Sequence, residues 1–200
     1  MNITHNKAHI MHQTHSSTHY CPKRLQDMTN VVHHALAKHQ SVILYRFDVR
    51  FPAIAEDQQK KHRLTQFTKK FLGSLKAKLE HRYGRIAEFD YLWSKVHHIE
   101  SGAMPHYQFV IMLDTHLFNT WQRGNHQGPS FKTYVEKAYI SAMDLEDVQD
   151  NVLFGKAIMI AATHHSKNQQ EHIIKMLSYL AKRHHSFPGQ RCWGKSNLHA

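Results

Sequence analysis

Apolar residues recur at intervals of three and four in the longer segments of this chain, and they cluster or alternate in the shorter ones between them. Over residues 23–40, Leu25, Met28, Val31, Val32, Ala35 and Leu36 share one side of a helix. The run 41–50, Ser41-Val42-Ile43-Leu44-Tyr45-Arg46-Phe47-Asp48-Val49-Arg50, is β-rich, alternates in its second half and is stopped by Pro52. Residues 57–82 carry Leu64, Phe67, Phe71, Leu75 and Leu79, a spacing that predicts a long amphipathic helix ended by Gly84. A strand is expected over 85–98, a turn with Gly102 and Pro105 over 99–105, and a hairpin partner over 106–113. Beyond Gly124, Gly128 and Pro129 the pattern predicts a helix over 130–143 and a buried strand over 152–162. A last helix over 168–184 bears Ile173, Ile174, Leu177, Leu180 and Ala181, and 187–200 reads as irregular.

After the leading helix the order is therefore strand, helix, strand, strand, helix, strand, helix. This is a βαββαβ pattern of the α+β class, which predicts a ferredoxin-like antiparallel sheet with helices on one face. In that topology the first and third strands are central neighbours, so Asp48 lies beside the strand carrying His106 and Gln108. Residues 1–22 read as a His-rich tail and 23–200 as a single domain. In the tail His5, His9, His12, His15 and His19 would share a face if it were helical, a candidate grip for a soft or borderline metal. The chain holds 21 histidines in all, so compositional bias accounts for much of that spacing.

Composition narrows the classes. Two hundred residues, 41% of them hydrophobic, are enough for one domain with a real core. No apolar run approaches the ~18 residues a membrane span requires, and the start lacks a secretory pattern. Cys21 and Cys192 alone imply neither a disulfide framework nor a cysteine zinc site, which points to a reducing cytoplasm. A net charge of +11 and a pI near 9.7 favour a polyanionic partner, above all nucleic acid. An anionic membrane surface is disfavoured, because no basic amphipathic helix with a bulky apolar face stands out.

Two short motifs carry chemistry. His106 and Gln108 flank Tyr107 on a strand, so both point to one face and together can grip a divalent cation. The amide oxygen of Gln108 suits magnesium or manganese, while Tyr107 turns to the core with Phe109, Ile111 and Leu113. Tyr179 and Lys182, three apart on the last helix, face the same way. A tyrosyl hydroxyl becomes a nucleophile once a metal or base draws off its proton, and Lys182 could then hold a scissile phosphate.

Five segments carry a resemblance. They are Leu44-Tyr45-Arg46-Phe47-Asp48-Val49-Arg50, Tyr91-Leu92-Trp93-Ser94-Lys95, Pro105-His106-Tyr107-Gln108-Phe109-Val110, Ser178-Tyr179-Leu180-Ala181-Lys182 and Arg191-Cys192-Trp193-Gly194-Lys195-Ser196. As an ordered set they resemble the YagK/YfjJ C-terminal domain family, related to inovirus-type replication proteins, and they sample residues 41–197. The resemblance implies an HUH-type initiator of a prophage or mobile element that nicks one strand and keeps a 5′-phosphotyrosyl link. It implies Mg2+ or Mn2+ as cofactor, with single-stranded origin DNA and host replication proteins as partners. Family members usually read His-Tyr-His where this chain has His106-Tyr107-Gln108. They commonly place a glutamate shortly after the tryptophan, where this chain has Val96. Glu100, His97 or Asp48 would then complete the metal site.

Around that site Arg183, Arg191 and Lys195 are candidate phosphate contacts, and Trp193 could stack on an unpaired base. The leading expectation is a replication initiator that nicks DNA through Tyr179. The first alternative is a catalytically degenerate DNA-binding or regulatory protein of the same fold, and the second a His-rich metal-binding protein.

Overall fold

The strand β1 (Ser41–Val49) is apolar on both of its faces, and this decides the layering. In a computed structural model that describes residues 20–51, 58–84, 88–98, 103–116, 129–148, 150–161, 167–182 and 191–197, each face of β1 has its own helices. Ile43, Tyr45, Phe47 and Val49 pack with Phe67, Phe71, Leu75 and Leu79 of α2 (Gln58–Tyr83) and with Phe131, Tyr134, Val135 and Tyr139 of α3 (Phe131–Met143). Val42 and Leu44 look the other way. They meet Met28, Val31, Val32 and Ala35 of α1 (Pro22–Lys38) and Ile173 and Leu177 of α4 (Lys167–Leu177). The helices thus cover two faces, where the sequence pattern had predicted one. The stripes of α1 and α4 are apolar enough to require a sheet surface of their own.

The remaining strands are β2 (Phe89–His98), β3 (Ala103–Asp114), β4 (Val152–Phe154), β5 (Ile158–Ala161) and β6 (Trp193–Lys195). All pairings are antiparallel, in the order β4-β1-β3-β2-β6, with β5 also paired to β1. The described residues therefore form a mixed α+β fold of four helices and an open antiparallel sheet of six strands. β1 and β3 are neighbours at its centre, as expected, and none of the helices among the described residues is long and apolar enough to cross a membrane.

The turn expected over 99–105 gives way to β3 at Ala103, the helix expected over 168–184 ends at Leu177, and two segments of the sheet beyond residue 150 differ further. The strand over 152–162 is interrupted: β4 pairs with 47–49 and β5 with 41–44, so residues 155–157 stand opposite only 45 and 46. That one-residue bulge reverses the alternation. Val152 and Phe154 consequently serve the α2/α3 layer, whereas Ile158 and Ile160 serve the α1/α4 layer. The segment 187–200, read as irregular, contributes the edge strand β6 on β2. There the backbone of Lys95 donates to Cys192, and Ser196 donates to the Tyr91 carbonyl.

Helix ends explain the path between layers. Gly84 takes a positive φ of 75° and closes α2 by donating to Glu80. Ser130 caps α3 by accepting from the Thr133 amide. At the end of α4 the chain tightens into a 3-10 turn, Ser178–Ala181, in which Ser178 Oγ donates to the Lys175 carbonyl at 2.7 Å.

Candidate functional site

The antiparallel register sets one row of side chains across the sheet on the α1/α4 face. It runs Leu153, Asp48, Gln108, Ser94 and Trp193, one residue from each of β4, β1, β3, β2 and β6. Two residues along, Arg46, Val110, Leu92 and Lys195 form the next row, and on the other side His106 stands opposite Val96. Period two therefore brings Arg46, Asp48, His106, Gln108 and Ser94 to one surface. Tyr107 points into the opposite layer, where burial pushes its phenol up to about 12.

Above this surface lies the 3-10 turn. Leu180 and Ala181 bury, and Tyr179 packs against the α1/α4 cluster. The Arg46 guanidinium lies over the Tyr179 ring, 3.9 Å from its centroid. The Tyr179 hydroxyl is buried and has no hydrogen-bond partner among the described residues. Burial raises its pKa, the Arg46 charge draws it partly back, and the Asp48 carboxylate raises it again. Asp48 Oδ1, Ser94 Oγ and Trp193 Nε1 are likewise buried without partners among the described residues, and Ser94 is 0% exposed. Folded proteins seldom leave such atoms unpaired, so four on one sheet face mark a place built to meet a polar ligand, an ion or water.

The sequence candidates separate on this frame. Tyr179, Asp48, Gln108 and His106 come to the same face. Lys182 does not stay on a helix beside Tyr179. The chain leaves the turn there with φ −54° and ψ 141°, the Lys182 amide donates to the Tyr179 carbonyl at 3.3 Å, and its backbone bridges to Tyr20. The Lys182 side chain is exposed, and its carbonyl accepts from Arg24 Nη1. Lys195 pairs with Asp27 of α1 at 3.2 Å, and Trp193 is half-buried against the α1/α4 cluster, so both serve to seat that helix on the sheet edge. Arg191 is exposed, donates to the Trp193 carbonyl and lies 5.6 Å from the ring of Trp93, a residue of the other layer. Glu100, Arg183 and the histidine-bearing residues 1–19 lie outside the described residues, as does the side chain of His97. Val96, buried and directly across from His106, puts an aliphatic group where a carboxylate ligand was sought.

Arg46 and Ser94 were not singled out from sequence, although each stands within a quoted segment. The signal was periodicity, because Arg46 is two positions before Asp48 and therefore shares its face.

Among the described residues no cluster of three or more His, Cys, Asp or Glu could hold a metal ion. A cation here would rest on mixed donors: the Asp48 carboxylate, the Gln108 amide oxygen and the His106 imidazole. That set fits. Asp48 and Gln108 are direct cross-strand partners, His106 follows on the same face, and Asp48 Oδ1 lacks a partner among the described residues. Two hard oxygens and one nitrogen suit Mn2+ better than Mg2+, and a single charge makes for weak binding.

Residues 1–196 match the family model of the YagK/YfjJ C-terminal domain, a span that also takes in the first forty residues, from which none of the quoted segments came. No curated protein and no solved structure matches the chain.

Proposed function

The chain belongs to the YagK/YfjJ C-terminal domain family, and from the geometry around Tyr179 we propose that it is a replication initiator of a phage or mobile element that nicks single-stranded DNA. One observation carries this reading: Tyr179, Asp48, Gln108 and His106 share a sheet face on which the phenolic and carboxylate oxygens are buried without partners among the described residues. The strand order β4-β1-β3-β2 is compatible with a ferredoxin-like, HUH-type core to which α1, β5 and β6 are added. The net charge of +11 suits a polyanionic substrate.

In this reading the Tyr179 oxygen attacks the scissile phosphorus. The tyrosyl O–P bond forms, the P–O3′ bond breaks, and the strand departs with a free 3′-hydroxyl. The phenolic proton must leave as the bond forms, because a tyrosine is protonated at neutral pH and burial raises the pKa of Tyr179 further. That proton passes to solvent, and the departing 3′-oxygen takes one up. Asp48, Gln108 and His106 would hold a divalent cation, whose chemistry is to neutralise charge on the phosphate under attack. Host replication proteins would then extend the 3′ end.

The test is incubation of 3′-end-labelled single-stranded origin DNA with the protein and Mn2+, comparing wild type with Tyr179→Phe. A protein-linked labelled strand formed by the wild type alone supports nicking, and its absence from both refutes it.

A second reading has its own support. Val96 and the covered, unactivated phenol of Tyr179 fit a relative that binds DNA without cutting it. Such a protein binds the same strand equally with or without EDTA, and Tyr179→Phe leaves binding unchanged.

A further inference from the structure

We infer that Arg46 is the phosphodiester-binding residue of this face, holding the backbone phosphate presented to Tyr179 and positioning the tyrosine ring beneath it. This rests on the reading of Tyr179 as nucleophile and gives Arg46 the part that sequence spacing had assigned to Lys182.

Three observations converge. The guanidinium lies 3.9 Å from the Tyr179 ring centroid, so an anion held by its outer edge sits next to the phenol. Arg46 has no carboxylate salt bridge among the described residues, whereas Lys195, in the same row across the sheet, pairs with Asp27. A guanidinium held over an aromatic ring keeps its fork of N–H donors available, and that fork matches two phosphate oxygens. The backbone under it is fixed as well. Arg46 sits in the central strand β1, and its carbonyl accepts from the Gly155 amide at 2.9 Å at the bulge between β4 and β5. The stem of Arg46 runs past Gly155, where a Cβ would touch its Cβ and Cδ at 3.8 and 3.9 Å.

Lys182 is placed otherwise. Its backbone is committed to Tyr20 and Tyr179, and its side chain is in solvent beyond the end of the turn. An exposed lysine there has no contact among the described residues that ties it to the phenol.

The experiment measures binding of a fluorescein-labelled single strand of mixed sequence as a function of salt, in the absence of divalent metal. Arg46→Gln is expected to reduce the slope of log K against log salt by about 0.7, the value of one single-strand phosphate contact. Arg46→Lys should keep the slope and Lys182→Gln should leave it unchanged. An unchanged slope for Arg46→Gln overturns the assignment. A protein labelled with 15N-arginine gives a second readout, with the Arg46 resonance identified by its absence from the spectrum of Arg46→Lys. The Arg46 Nε resonance shifts when the strand is added if it grips phosphate, and a stationary resonance overturns the inference. Neither readout depends on cleavage. A wild type that fails to nick while Arg46 passes both tests removes the proposed reaction and leaves the phosphate site standing. A wild type that nicks while Arg46 fails them does the reverse.

Discussion

Asp48 on β1 and Gln108 on β3 stand directly opposite each other at the centre of the sheet, and the Asp48 Oδ1 between β1 and the turn is buried without a hydrogen-bond partner among the described residues. An oxygen in that state costs about 1–3 kcal/mol of stability unless something binds it. Asp48→Asn keeps the shape and removes the charge from this buried position. The variant is expected to be more stable than wild type by about 1 kcal/mol in metal-free buffer. Millimolar Mn2+ should raise the wild-type melting temperature and leave that of Asp48→Asn where it was. An equal rise in both would place the cation elsewhere.

Tyr179→Phe separates chemistry from packing. The substitution removes only the orphaned hydroxyl and leaves a ring for Arg46 to cover. Thermal unfolding should be unchanged or shifted upward, by no more than about 1 kcal/mol, while formation of a protein–DNA adduct falls to background. A variant that is destabilised and still forms the adduct would remove Tyr179 from the reaction.

The central part of this fold was legible because its signals are local. Tyr45, Phe47 and Val49 against Leu44 and Val42 gave β1, and the spacing of Phe67, Phe71, Leu75 and Leu79 gave α2. What escaped was set by contacts between distant residues. β6 is three residues long, and it exists because Gly194 passes under Trp93 while Ser196 reaches Asp90, more than a hundred positions away. The bulge at 155–157 could not be placed without knowing which residues of β1 face it. The same holds at the site. His106, Gln108 and Asp48 followed from period two and strand order, whereas the loss of Lys182 followed from a change of helix type after Leu177 that helical spacing does not encode.

Gly194 should tolerate no side chain. A Cβ built there would run into the Trp93 indole, which packs against Tyr107 at 5.7 Å between ring centroids and has no room to yield. Gly194→Ala is expected to cost about 2–3 kcal/mol in urea unfolding, with early loss of hydrogen-exchange protection in β6. Gly73→Ala, in α2 with open space at the same atom, is the matched control and should gain about 1 kcal/mol.

Asp90 seats α1 and β6 together. Its buried carboxylate accepts from Ser196 Oγ at 2.7 Å and lies 3.4 Å from His34 Nδ1. Asp90→Ala leaves the Ser196 O–H donor without its acceptor and is expected to cost about 2 kcal/mol, measured by chemical denaturation near neutral pH. Glu88→Ala removes the exposed partner of Lys38 and should change stability by less than about 0.5 kcal/mol.

High pH should unfold the protein for a definite reason. Burial raises the phenols of Tyr107 and Tyr139 to about 12, and it raises those of Tyr45 and Tyr179 as well. Tyr139 also donates to the Arg50 carbonyl at 3.1 Å, a bond that ionisation breaks. In the unfolded chain these phenols ionise near pH 10. From about pH 10 upward the native state therefore binds more protons than the unfolded one, and stability falls as pH rises. Each buried tyrosine steepens the fall by up to ~1.4 kcal/mol per pH unit. Urea midpoints should thus be flat to about pH 9 and decline beyond 10. Tyr107→Phe, which leaves its ring in the aromatic cluster with Phe67 and Phe109, should flatten the decline by about one tyrosine's share. A decline equally steep in that variant would show that this buried phenol plays no part in alkaline unfolding.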